Sequence, residues 1–160
     1  QGPLSRVDEI VKELKLSKHP EGGFYAETYR SELKTEDKSG VLMTSIYFLL
    51  TSNNVSNFHR IRNDELWFHH EGSPISIHTL EEGAHKEYVL GKTHGEECRP
   101  YQLIKGNTIF GSSVLEVDSF ALVSCVVSPG FDFKDFELFS YEQLIEEFPN
   151  DKGIIKRLTP

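Results

Sequence analysis

Near the start of the chain, apolar residues recur with a helical period. Val7, Ile10, Val11 and Leu14 stand at i, i+3, i+4 and i+7 and share one face. Ser5 is placed to cap that helix. A turn-rich stretch follows, His19-Pro20-Glu21-Gly22-Gly23, where two glycines after a proline permit a tight reversal. From Phe24 onward the pattern becomes a series of short β-prone runs. The alternation predicts strands at Phe24–Arg30, Met43–Thr51, Asn57–Arg62, Glu65–His70, Pro74–Leu80, Lys86–Leu90, Tyr101–Lys105, Thr108–Leu115, Phe120–Val127 and Phe136–Phe139. Turn residues such as Asn63-Asp64, Glu82-Gly83, Gly106-Asn107 and Pro129-Gly130 separate them. Ser140-Tyr141-Glu142-Gln143 then has the form of a capping box, with Leu144, Ile145 and Phe148 as an apolar face and Pro149 as the stop. Many short strands without interleaved helices predict an all-β fold, an antiparallel sandwich or barrel with short N-terminal and C-terminal helices.

Length and composition fit that reading. The 160 residues suit one domain, and eleven Phe, six Tyr and one Trp supply large side chains for its core. Residues 1–5, Gln-Gly-Pro-Leu-Ser, look like a cleavage scar, which leaves 6–160 as a single domain. No apolar run approaches the roughly 20 residues that span a bilayer, and no leader is visible, so a cytoplasmic location is expected. The formal charge of −8 argues against binding nucleic acid or an anionic membrane, because a phosphate-rich partner needs a positive surface. Cys98 and Cys125 lie far apart and form no CxxC pair. One disulfide is open to them, and two reduced thiols are the expectation.

The densest chemical signal is the stretch from Phe58 to Gly72, which reads as a hairpin turning at Asn63-Asp64. Side chains alternate along a strand, so Glu65, Trp67 and His69 share one face, and His59 and Ile61 share a face of the preceding strand. If those faces meet inside a barrel, His59, Glu65 and His69 form an acid/base set beside an indole. The other reading is that Glu65 and His69 only hydrogen-bond at a barrel rim. Further lining candidates are Tyr25, Tyr47, Gln102 and Phe110, since aromatic walls with a few polar groups suit small-ligand pockets. For each of these taken singly, core packing is the competing role. Cys125 reads as a buried structural thiol, and His78, His85 and His94 as solvated.

This stretch resembles the first motif of the cupin superfamily, His-x-His, a spacer, Glu, six residues and Gly. His59, Glu65 and Gly72 match, and Ile61 stands where the second histidine belongs. The second cupin motif is similar to Lys105–Phe110, with Phe110 in place of its histidine. The resemblance extends to a branch of small cupins long labelled a domain of unknown function. It rests on His19–Gly23, a Ser-Ile-Tyr-Phe-Leu-Leu strand at Ser45–Leu50, the His59–Trp67 hairpin and a Ser-Pro-Gly-Phe segment at Ser128–Glu137.

The resemblance implies a cupin jelly-roll holding a small-molecule ligand and commonly a homodimer. Open sheet edges must be covered, and Phe24–Arg30 is the segment expected to cross between subunits. The resemblance also implies a weakened metal site, metal-free or only weakly binding, where a divalent transition metal would meet His59 and Glu65; His69, on the inferred inward face, is the candidate substitute ligand. Cupin relatives include sugar isomerases and epimerases. The function expected is therefore a metal-independent or weakly metal-dependent epimerase, isomerase or mutarotase acting on a carbohydrate-like substrate. His59 and Glu65 are its acid/base pair, His69 supports them, and Trp67 stacks on the sugar. The alternatives are a non-catalytic sugar-binding protein and a metal-dependent dioxygenase.

Overall fold

The computed structural model describes residues 3–160. Its elements, in chain order, are α1 (Pro3–Glu13), β1 (Ser17–Lys18), β2 (Phe24–Arg30), β3 (Thr44–Thr51), β4 (Val55–Arg60), β5 (Asp64–Gly72), β6 (Ile75–Glu81) and β7 (Ala84–Leu90). β8 (Cys98–Arg99), β9 (Tyr101–Ile104), β10 (Ile109–Val114), β11 (Phe120–Ser128), β12 (Glu137–Leu138), α2 (Tyr141–Glu147) and α3 (Lys152–Arg157) follow. Residues 1 and 2 of the expected scar lie outside the described residues, and Pro3–Ser5 already belong to α1. Ser5 therefore sits inside the first turn instead of capping it, and Pro3 starts the helix, a position that needs no N–H. Among the described residues no helix is long and apolar enough to cross a membrane.

The strands form two six-stranded sheets, in the orders β1-β2-β3-β11-β5-β9 and β12-β4-β10-β6-β7-β8. The hairpin expected to turn at Asn63-Asp64 is not a paired one: the chain crosses there from one sheet to the other, so β4 pairs with β10 and β12 while β5 pairs with β11 and β9. All pairings are antiparallel except the short β7–β8 contact. The two sheets face each other across a core that includes Phe48, Leu50, Trp67, Ile77, Phe110 and Val123, which gives the jelly-roll expected from the strand punctuation. Two satellite clusters cover the outside. Val7 and Ile10 of α1 pack with Leu49, Phe120 and Leu122 on the first sheet. Leu144 of α2, Phe148 at its C-terminal cap and Ile155 of α3 pack with Phe58, Leu80 and Ile109 on the second. Full burial of one such side chain contributes about 1.5–3 kcal/mol, so these short helices are held by packing more than by propensity. The capping box is formed as read: Ser140 Oγ accepts from the Gln143 N–H at 3.2 Å, and Gln143 Oε1 accepts from the Ser140 N–H at 2.8 Å.

Two irregularities matter for the site. β4 starts at Val55 and ends at Arg60, and its pairing with β10 shifts register between Phe110 and Ser112. β5 runs on to Gly72 with a bulge, because Val123 pairs with His69 while Leu122 pairs with Glu71. β2, the strand expected to cross between subunits, pairs with β3 along its own sheet, while β1 covers only Phe24 and Tyr25 on its other side.

Candidate active site

One end of the barrel holds a cavity of about 270 Å³. Its floor and walls come from five places, one of them β3 with Thr44 and Ile46. β4 and the residue after it give His59 and Ile61, and β5 gives Glu65. β11 gives Cys125 and Val127, and the His19–Gly23 turn gives His19 and Glu21. Tyr25, Phe131 and Phe133 complete an aromatic rim, where Arg30 is paired with Glu27 at 2.7 Å.

The turn reaches the site because of its glycines. The carbonyl of Glu21 accepts the Asn57 N–H at 2.7 Å, so the turn lies directly on β4. Gly22 has φ +112°, and a Cβ there would stand 1.9 Å from the Val55 carbonyl oxygen. Only glycine permits both the backbone conformation and this approach. The result places the buried Glu21 carboxylate 2.8 Å from His59 Nε2.

His59 is held at both nitrogens. Nδ1 lies 2.8 Å from the Asn57 carbonyl oxygen and Nε2 meets Glu21. A carbonyl and a carboxylate only accept, so the ring donates from both sides as an imidazolium. Burial opposes that charge, but Glu21, the Asn57 carbonyl and Glu65 outweigh it and raise the His59 pKa. Glu21 shows the mirror image: burial works against its charge, and His59 together with weaker partners more than offsets this and keeps it ionised. Glu65 has no hydrogen-bonded cation of its own and feels only the weaker pull of His59 across the cavity. Burial, reinforced by the Glu21 charge, pushes its carboxyl up to about 7, although Trp67 Nε1 donates to Oε2 at 2.8 Å. The cavity wall thus carries one carboxylate fixed as an anion and one poised near neutrality. Environments that separate two carboxyls in this way set up an acid and a base.

The structure brings together part of the expected set. His59, Glu65 and Tyr25 line the cavity. Trp67 does not: it is 1% exposed, lies beneath Glu65 with its ring against Phe48 and Phe110, and offers no face for stacking. Phe110 is buried behind His59, with ring centroids 4.3 Å apart. His69 lies four residues along β5 from Glu65, about 13 Å for extended chain. Its Nε2 is 2.9 Å from the Ser73 carbonyl oxygen, so it joins neither the cavity nor the pair. Tyr47 is on the outer face beside His70, and Gln102 donates to the Val89 carbonyl in a surface groove.

His78 is not solvated. It is buried 2.9 Å from His85, and burial lowers its pKa to about 4. Both cysteines are free and buried, and Cys125 touches the cavity beside Glu65, where burial pushes its thiol well up.

The residues missed by periodicity are His19, Glu21, Arg30, Phe131 and Phe133. The signal for the first two was a histidine and a glutamate flanking Pro20 just before paired glycines.

The donor set does not fit the metal that the fold family implies. Both His59 nitrogens carry protons into hydrogen bonds and leave no lone pair. Ile61 and Phe110 fill two ligand positions with hydrocarbon. Among the described residues no group of three or more His, Cys, Asp or Glu is arranged to hold a metal ion.

Comparison with known proteins adds the following. The family described as Cupin superfamily (DUF985) matches residues 8–139. A protein of Shewanella oneidensis of known structure is 44% identical, with TM-score 0.90 and 96% of each chain covered. A hypothetical protein from Leishmania major is 34% identical, with TM-score 0.86, covering 95% of this chain and 97% of that one. An uncharacterised protein of Saccharomyces cerevisiae is 28% identical over 150 residues, 83% of this chain and 75% of that protein. Oxalate decarboxylase from Bacillus subtilis is similar at TM-score 0.56 and 13% identity, over 88% of this chain and 36% of that one, a likeness of fold alone.

Proposed function

The chain belongs to the cupin superfamily, in the family DUF985, and on that footing we propose that its cavity moves protons on a small carbohydrate-like substrate, as an epimerase, isomerase or mutarotase does. The observation that carries this is the buried Glu21–His59 ion pair at 2.8 Å, facing the same cavity as a Glu65 carboxyl poised near 7. At neutral pH Glu65 populates both forms, so it can take a proton and return it. In carbonyl chemistry the Glu65 carboxylate removes the proton from the carbon next to the carbonyl. The C–H electron pair becomes the new C=C bond, and the carbonyl π pair moves to oxygen. In isomerisation the C=C pair takes the proton back from Glu65 at the former carbonyl carbon. The hydroxyl on the first carbon gives its proton to solvent as its O–H pair becomes the new C=O, and solvent returns a proton to the enediolate oxygen. In epimerisation solvent reprotonates the first carbon from its other face, the original C=O re-forms, and Glu65 releases its proton to solvent. His59, held cationic by Glu21, stabilises the charge that develops at oxygen. No step runs through a metal. The size of the cavity admits a small molecule, and its mixed rim of Tyr25, Phe131, Phe133 and the Arg30–Glu27 pair suits a polar guest with an apolar face. Self-association as a homodimer belongs to the same reading, supported by exposed Tyr101 and Leu103 on edge strand β9.

The test is solvent exchange. Free aldoses and ketoses of three to six carbons are incubated with protein in deuterium oxide and followed by proton NMR, with polarimetry for anomer exchange. Wild type should label or interconvert at least one of them above the buffer rate, and Glu65→Gln should lower that rate about 100-fold or more with the fold intact. Retained activity in Glu65→Gln sinks the mechanism. Saturable sugar binding without exchange would identify a binding protein instead.

A further inference from the structure

The geometry points to His19 as a fixed, neutral hydrogen-bond donor that holds the carbonyl oxygen of the substrate through its Nε2–H. This inference rests on the proton-transfer reading of the same cavity and narrows it to carbonyl compounds that pass through an enediolate. The backbone N–H of Glu21 donates to His19 Nδ1 at 3.1 Å. That bond requires a lone pair on Nδ1, so the proton sits on Nε2. Glu21 Oε1 is 4.0 Å from Nδ1, too far for a hydrogen bond, and cannot claim a proton there. The ring cannot turn over without placing a C–H against the Glu21 N–H. Neighbouring rings hold it in that pose, Tyr25 edge-on at 4.5 Å and Phe48 edge-on at 5.7 Å, with Phe133 at 6.0 Å.

Nε2 is the nitrogen left for a ligand. Only 6% of the His19 side-chain surface is exposed, the residue lines the cavity, and among the described residues Nε2 has no hydrogen-bond partner. Burial also lowers the pKa of His19, against the pull of Glu21, which agrees with a neutral ring. A neutral imidazole N–H beside an imidazolium divides the work. His59 supplies the positive charge, and His19 supplies a directed donor that loses no proton to the product. Donors aimed at an oxygen where charge develops stabilise the transition state more than the ground state.

Two measurements test this on the full chain. Two-bond proton–nitrogen spectra of 15N-labelled protein at neutral pH should show His19 with a protonated Nε2 and a bare Nδ1. An Nδ1–H tautomer or a doubly protonated ring overturns the proposal, whatever the enzyme turns over. Acetohydroxamate, a planar mimic of an enediolate, is then titrated into chelator-treated protein. It should shift the His19 Nε2 resonance and bind about tenfold more weakly to His19→Phe, the worth of one hydrogen bond to a charged oxygen. His19→Gln, whose amide nitrogen reaches the position of Nε2, should restore the binding and guards against a folding defect in the Phe variant. Equal binding by wild type and His19→Phe, or no shift of Nε2 at tens of millimolar ligand, overturns the assignment. If these readouts hold while no sugar exchanges deuterium, the donor stands and the isomerase reading falls.

Discussion

Glu65 is the residue whose environment leaves a mark on stability as well as chemistry. Its carboxyl is raised from 4.5 to about 7, chiefly by burial. The folded state therefore binds this proton more tightly than the unfolded state does. The resulting stabilisation is complete below about pH 4.5 and is lost as pH rises through 7. A shift of that size corresponds to about 3 kcal/mol. Gln cannot ionise and still accepts from Trp67 Nε1, so Glu65→Gln should escape the loss. Urea unfolding at about pH 5 and about pH 8 should show wild type falling by up to about 3 kcal/mol relative to the variant. Parallel pH dependence in the two proteins would place the raised pKa elsewhere. His59 and Glu65 were legible in the sequence because alternation along two consecutive strands points both inward, here from the two facing sheets. Glu21 was not, because its contact with His59 is made by a loop docking from a distant part of the chain, which no local period records. His69 was misplaced because alternation gives the face of a side chain but neither its distance along the strand nor the bulge beyond it.

The element that makes the site is the His19–Gly23 turn, and its fit against β4 has little slack. Gly22→Ala asks an L-residue to hold φ +112° with its Cβ 1.9 Å from the Val55 carbonyl oxygen. The turn must lift off β4, breaking the bond from the Asn57 N–H to the Glu21 carbonyl and drawing Glu21 away from His59. A cost of more than about 2 kcal/mol is expected, because strain and the lost ion pair add. Sugar exchange should fall with it. A variant with wild-type urea midpoint and wild-type exchange would show that the turn does not position Glu21. At this scale the sequence was readable: the run at Phe24–Arg30 and the capping box at Ser140 stand as the pattern predicts. The two-residue strands at Ser17–Lys18 and Cys98–Arg99 went unseen, since two residues carry no period. The helix at Lys152–Arg157 followed a proline stop too closely to register as a new start.

For the whole molecule, the unresolved force is exposed apolar surface on an open sheet edge. β9 ends the first sheet, and Tyr101 and Leu103 on it are 52% and 49% exposed, with the half-buried Phe68 ring 5.8 Å from that of Tyr101. The free edge of β2 is better defended, since the exposed Glu27–Arg30 pair sits on it. An open edge with apolar side chains beside it invites a second copy, and charges on an edge discourage one. The net charge of −8 opposes association at long range, so salt should favour it. Static light scattering at micromolar concentration should therefore give twice the mass of one chain. Leu103→Lys, which places a charge on the exposed face without touching the cavity, should return it to a single chain with sugar exchange preserved. A wild-type monomer would refute the homodimer. A variant that stays dimeric would move the interface away from β9, and the edge of β2 would then be the next place to put a charge.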